Sequence, residues 1–144
     1  MKPKHILVVD DEASFTRLLK LNLETRTGHI VTVINRAHEA IAAARKNRPD
    51  LVFLDVIMPT VDGGELAARF QADPVLRGVP MVYLTATVTR GETAKGAKNG
   101  GIPLLAKPVS LADLLACVAE HLGPHPAAEG RSQPPGSGLP AKPA

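Results

Sequence analysis

The chain has 144 residues, is 44% hydrophobic, and carries 17 basic against 14 acidic side chains for a formal charge of +3. That length predicts one domain, and so small an excess of charge does not argue for nucleic acid. Four aromatic residues (Phe15, Phe53, Phe70 and Tyr83) argue against a stacking platform for single strands, and the single Cys117 excludes an internal disulfide and a cysteine-based zinc site.

Ile6 to Val9 is a continuous apolar run that predicts a strand buried on both faces. The acids Asp10, Asp11 and Glu12 cut that run short, so the N-terminus reads as a strand and not a secretory signal. Phe15, Leu18, Leu19 and Leu23 then follow helical spacing, with Gly28 as the stop. His29 to Ile34 predicts a second strand. Ala37, Ala40, Ile41 and Ala44 predict a helix with a small-residue face that ends before Pro49. Leu51 to Leu54 predicts the third strand, Met58 to Gly64 a loop, Glu65 to Gln71 a helix, and Met81 to Leu84 the fourth strand. Residues 89–99 are polar and contain Gly91 and Gly96, each costing a helix on the order of 1 kcal/mol, so any helix there is weak. Ile102 to Ala106 predicts the fifth strand. Leu111, Leu114, Leu115, Val118 and Leu122 form an amphipathic helix closed by Gly123 and Pro124.

This alternation predicts an α/β fold, a doubly wound five-stranded parallel sheet with helices on both faces. The domain is expected over residues 3–123. Residues 124–144 hold 6 of the 13 prolines and 3 of the 12 glycines, with Leu139 their one large apolar residue. Such a segment buries too little surface to offset its ordering entropy, which predicts a disordered tail or linker. No run approaches the ~18–20 apolar residues of a membrane span, and a cytoplasmic protein without membrane insertion is expected.

Open sheets of this kind bind ligands at the carboxyl ends of their strands. Asp10, Asp11 and Glu12 follow the first apolar run, Asp55 the third, Thr85 the fourth and Lys107 the fifth. Clustered carboxylates repel unless a cation or proton intervenes, and a few hard oxygen ligands with water suit Mg²⁺ better than zinc. Asp55 can then act as nucleophile toward a phosphoryl group and form an acyl phosphate. Lys107 and the metal would neutralise the equatorial oxygens, with Thr85 donating to one of them. Any one of these residues alone reads as a cap, a turn or plain surface. Their joint appearance at four strand ends is what carries the argument.

The motifs Val9-Asp10-Asp11-Glu12, Leu54-Asp55-Val56-Ile57-Met58-Pro59, Asp62-Gly63, Leu84-Thr85-Ala86 and Ala106-Lys107-Pro108 strongly resemble the receiver domain of two-component response regulators, over residues 5–122. The resemblance implies a sheet in the order 2-1-3-4-5 and phosphorylation of Asp55 by a histidine kinase or histidine phosphotransfer protein. It implies that Asp11, Asp55 and the main-chain carbonyl of Ile57 ligate Mg²⁺ directly and Asp10 through water. Thr85 becomes the switching hydroxyl, Lys107 the phosphate-pairing cation, and Lys107–Pro108 a cis peptide.

Three departures from the family pattern bear on output. Leu104 stands where the family usually has Tyr or Phe, and leucine cannot repeat the ring motion that accompanies the switch. The glycine-rich segment 89–101 weakens the fourth helix of the output face, which predicts a mobile segment ordered by phosphorylation or a partner. Ile57 and Thr87 occupy positions that influence phosphate loss in the family. Ile57 brings no group to orient water, which predicts slow self-dephosphorylation.

The five histidines are dispersed and lack metal spacing. Cys117 reads as packing or idle surface, and Asp50, Asp73 and Asp113 as turn or cap residues. A 21-residue Pro/Gly tail supplies no recognition helix. The expectation is therefore a receiver that acts on a downstream target protein without direct nucleic-acid binding, with a homodimer compatible. Three alternatives stand beside it. One is a receiver cut from a larger regulator, another a degenerate receiver scaffold, and the third a phosphohydrolase with an aspartate nucleophile. The last is disfavoured because Asp55-Val56-Ile57 offers no second acid two positions on.

Overall fold

The computed structural model describes residues 2–58, 61–86, 98–99 and 101–124. The strands are β1 (His5–Val9), β2 (Ile30–Ile34), β3 (Leu51–Asp55), β4 (Met81–Thr85), β5 (Lys98–Asn99) and β6 (Ile102–Ala106). The helices are α1 (Ala13–Thr27), α2 (Ala40–Lys46, entered through a 3₁₀ turn at Ala37–Glu39), α3 (Gly63–Ala72) and α4 (Leu111–Leu122). The sheet runs β2-β1-β3-β4-β6-β5.

β2, β1, β3, β4 and β6 are parallel, in the order that the family resemblance implied. The two-residue β5 is an addition, pairing antiparallel with Ile102 and Pro103. Asn99 lies opposite Ile102, and Gly101 takes φ 85 in the turn, a conformation glycine adopts at no steric cost. The expected weak helix over 89–99 lies outside the described residues except at Lys98 and Asn99, which are strand. Thr87 and the tail from 125 onward also lie outside them.

Every residue of the central strands β1, β3 and β4 is buried, which is why each reads as an unbroken apolar run. The pleat sends alternate residues to opposite faces. Leu7, Val9, Val52, Leu54, Met81 and Tyr83 join Leu66 and Phe70 of α3 and Ala40 and Ala44 of α2 in one core. Ile6, Val8, Leu51, Phe53, Val82 and Leu84 join Leu19 and Leu23 of α1 and Leu114, Val118 and Leu122 of α4 in the other. The small alanine face of α2 is thus its packing face, and among the described residues no helix is long and apolar enough to cross a membrane.

The helix ends follow local chemistry. Gly28 closes α1 in the left-handed region at φ 79, its N–H donating to the Glu24 carbonyl. Ser110 caps α4 by accepting from the Asp113 N–H at 3.0 Å, so Asp113 is a first-turn acid rather than the cap. Asp62 caps α3 by accepting from the Gly64 N–H at 2.8 Å, and the helix starts two residues earlier than the apolar spacing predicted. Gly63 makes that start possible. A side chain there would fall on the Asp55 carbonyl oxygen and lie 2.6 Å from the Val56 Cα. The short loop after β3 is held against its own strand by this close approach, and by the Gly63 N–H donating to the Val56 carbonyl at 2.9 Å.

Candidate functional site

The carboxyl ends of β1, β3, β4 and β6 bring the predicted site residues to one edge. Asp10 follows β1 and is fully buried, Asp55 ends β3 and Thr85 ends β4, both buried, and Lys107 follows β6. Asp11 is exposed beside them. Carboxylate oxygens of Asp10, Asp11 and Asp55 lie within 4.8 Å of one another. The Lys107 ammonium sits 2.7 Å from Asp10 Oδ2, 2.7 Å from Glu12 Oε1 and 3.7 Å from Asp55 Oδ2. Its main-chain N–H donates to the Thr85 carbonyl at 2.8 Å, which fixes the end of β6 against β4. Lys107–Pro108 is cis.

Directed hydrogen bonds hold the acids in place. Asp10 Oδ1 accepts from the Glu12 N–H at 2.9 Å, and Asp55 Oδ1 from the Ile57 N–H at 3.2 Å. The Lys107 ammonium is the partner of the other, buried oxygen, Asp10 Oδ2, which has no further donor among the described residues. Burial first, then the neighbouring Asp10 charge, push the Asp55 carboxyl up to about 6, against the pull of Lys107 and the Ile57 N–H. Burial draws the Lys107 ammonium down, but its contacts with Asp10 and Glu12 outweigh that and hold it above its ordinary value.

This donor set suits a hard divalent cation. It offers only oxygen, and it crowds like charges at a cost that a cation would relieve. A lysine lies beside the cluster to balance further negative charge.

Phe15 and Asn35 were not singled out for this site in the sequence, and Glu12 was grouped with the acids at the edge without its pairing to Lys107. The Phe15 ring lies under the Lys107 ammonium, 4.6 Å from nitrogen to ring centre. Glu12 is the second anchor of that ammonium, and Glu12 and Phe15 share one face of the start of α1 by their spacing. Asn35 follows β2, and its side-chain Nδ2 donates to the Asp10 carbonyl at 2.7 Å. The rule that found the other residues, inspection of the position after each apolar run, also points at Asn35.

Leu104 is half-buried, lies opposite Tyr83 in the β4–β6 pairing and packs on the α2/α3 core. Ile57 is 60% exposed beside Asp55. Cys117 is buried in α4, and burial, then Glu120, push its thiol up to about 12, which fits a packing role.

Residues 6–119 match the response regulator receiver domain family, and the chain belongs to it. It is 37% identical over 118 residues to PhoB, the phosphate regulon transcriptional regulatory protein of Rhizobium meliloti, covering 82% of this chain and 51% of PhoB. It is 35% identical over 113 residues to the response regulator PleD of Caulobacter vibrioides, covering 78% of this chain and 25% of PleD. The chain thus spans about half or less of the length of these curated relatives. Among solved structures, the receiver domain of the sensor histidine kinase PA1611 from Pseudomonas aeruginosa superposes with a TM-score of 0.71 at 26% identity, covering 85% of this chain and 99% of that one. That receiver holds a magnesium ion in its active-site cleft. The chain described here is therefore a receiver domain of two-component signalling, a class that accepts phosphoryl groups and typically signals rather than turning over a substrate.

Proposed function

We propose that Asp55 is the phosphoacceptor and that the chain is a cytoplasmic switch, phosphorylated by a histidine kinase or histidine phosphotransfer protein and read by a downstream target protein. One observation carries this reading: Asp10, Asp11, Asp55, Thr85 and Lys107, separated by up to 97 positions, meet at one sheet edge. A carboxylate oxygen of Asp55 attacks the phosphorus of the donor phosphohistidine. The P–N bond breaks, and its electron pair stays on the imidazole nitrogen.

Asp11, Asp55 and the main-chain carbonyl of Ile57 would hold Mg²⁺ directly, and Asp10 through water. When bound, Mg²⁺ supplies charge neutralisation for the phosphoryl oxygens. The chain's own residues do the rest. The Ile57 N–H orients the Asp55 carboxylate. Lys107, already 3.7 Å from Asp55, exchanges Glu12 for the phosphoryl oxygens, and the Thr85 hydroxyl donates to another. Thr85 lies opposite Ala106 and Tyr83 opposite Leu104, so a movement of Thr85 is felt on β6. With leucine at 104, that movement is transmitted by aliphatic repacking instead of a ring swing. The exposed Ile57 offers no polar group to orient an attacking water, in keeping with slow loss of phosphate.

The test is incubation with a small phosphodonor and Mg²⁺, followed by intact mass, beside Asp55→Asn. A gain of one phosphoryl group in the parent alone is the expected result. An unchanged parent mass with every donor and kinase tried would favour the scaffold reading instead.

A further inference from the structure

We infer that Asn35 is a positioning residue for the cation site, holding the acidic turn after β1 in its binding shape from across the β2–β1 pair. This rests on the reading that Asp10, Asp11 and Asp55 take Mg²⁺. Asn35 Nδ2 donates to the Asp10 carbonyl at 2.7 Å and to Thr16 Oγ1 at 2.9 Å. Thr16 is buried in the first turn of α1, and its hydroxyl donates to the Ala13 carbonyl at 3.1 Å. One amide group therefore ties together the end of β2, the backbone of the first acid and the start of the helix that follows the acids. The Asp10 N–H completes the clamp by donating to the Ile34 carbonyl at 3.1 Å.

The turn so fixed contains the groups a cation needs. Within residues 10–12, Asp10 Oδ1 is engaged by the Glu12 N–H and Asp10 Oδ2 by the Lys107 ammonium at 2.7 Å, so the carboxylate is already oriented at the site edge. Three acids in one turn repel each other, Lys107 offsets part of that, and the backbone has still to be held in shape before an ion arrives. The Asn35 bonds do so with a neutral group that adds no charge. Without them the turn has to be ordered by the cation itself, and that ordering entropy is subtracted from binding.

Binding of Mg²⁺ alone, followed by calorimetry on the full chain, tests this with Asn35→Ala and Asn35→Gln, beside thermal melting in EDTA. Asn35→Ala is expected to weaken Mg²⁺ binding by about tenfold, the lower end of what partners outside the ligand shell contribute. Asn35→Gln, which keeps the amide donors, is expected to recover most of that affinity, and both variants should melt close to the parent without metal. Should Asn35→Ala fail to fold, Asn35→Ser carries the same comparison. Mg²⁺ affinity in Asn35→Ala equal to the parent's would overturn the inference and leave the metal reading intact. An affinity loss that Gln does not restore, matched by a fall in metal-free melting temperature, would also overturn it, because the role would then be structural. A parent that takes up no Mg²⁺ would overturn both.

Discussion

Asp55 is a carboxylate that the fold makes costly to ionise. Its ordinary value of 3.8 rises to about 6 through burial and the charges of Asp10 and Asp11. The native state therefore holds this proton more tightly than the unfolded chain does, and between those two values native stability falls as pH rises. Above about 6 the whole penalty is present, and below 3.8 it is absent because both states are protonated. Asp55→Asn removes the charge and keeps the shape. In EDTA near neutral pH the variant is expected to be more stable than the parent by about 1–3 kcal/mol, the size a shift of roughly two units allows once screening is counted. The gain should vanish in acid. Urea unfolding at the two pH values measures this, and an equal gain at both would show that the benefit is not electrostatic. A group made unstable as an anion is one that gains by meeting a cation, so the same residue that weakens the empty site favours its occupation.

At the scale of elements, the site depends on how tightly the chain after β3 is folded back. Gly63→Ala is expected to cost about 2–3 kcal/mol, because the new methyl meets backbone of Asp55 and Val56 and no flexible side chain can give way. A denaturation midpoint within error of the parent's would mean that the loop shifts without cost. The open edge of the sheet is handled differently. The Ile30 N–H donates to the Lys4 carbonyl, so in the parallel ladder Val31 turns its own N–H and carbonyl away from β1. Both are met by α1: Glu24 Oε2 accepts from the Val31 N–H at 2.9 Å, and Lys20 Nζ donates to the Val31 carbonyl at 2.5 Å. Burial raises the Glu24 carboxyl, but this N–H and Lys20 hold it below its ordinary value. Glu24→Ala should speed exchange of the Val31 amide by about tenfold, since a hydrogen bond to a charged acceptor is lost. Unchanged exchange would place the protection elsewhere. The central strands were legible as apolar runs because both faces of the sheet are covered. The start of α3 was not, since Gly63 and Gly64 lower helix propensity and the cap that rescues them is one aspartate. Nor was β5, two polar residues long, whose best signal is the Gly100-Gly101 pair.

For the molecule as a whole, the parallel topology places every strand end of interest on one edge, and so the acids and the lysine could be read in advance from position alone. Phe15, and the partners that Glu12 and Asn35 take, could not be assigned the same way, because those contacts depend on which neighbour lies across a strand pair or a helix turn. Those cross-element contacts couple the site to the fold. Asp10 is bonded to β2 through Asn35 and Ile34, Asp55 is bonded into the loop leading to α3, and Lys107 is bonded to β4 through Thr85. A cation on Asp10, Asp11 and Asp55 would therefore join the ends of β1 and β3, which otherwise repel, and its binding energy would appear as stability of the whole domain. The parent is expected to melt progressively higher as Mg²⁺ is added, gaining about 2.7 kcal/mol at a hundredfold excess over the dissociation constant. Asp55→Asn should begin from a higher melting temperature in EDTA yet respond less to Mg²⁺, having lost both a ligand and the repulsion that the ion relieves. Thermal melts across a Mg²⁺ series measure the two slopes, with Ca²⁺ as a comparison for the hard-cation preference. Parallel slopes for parent and variant would place the ion away from Asp55, since only a shared ligand makes the ion's effect on folding depend on that one side chain.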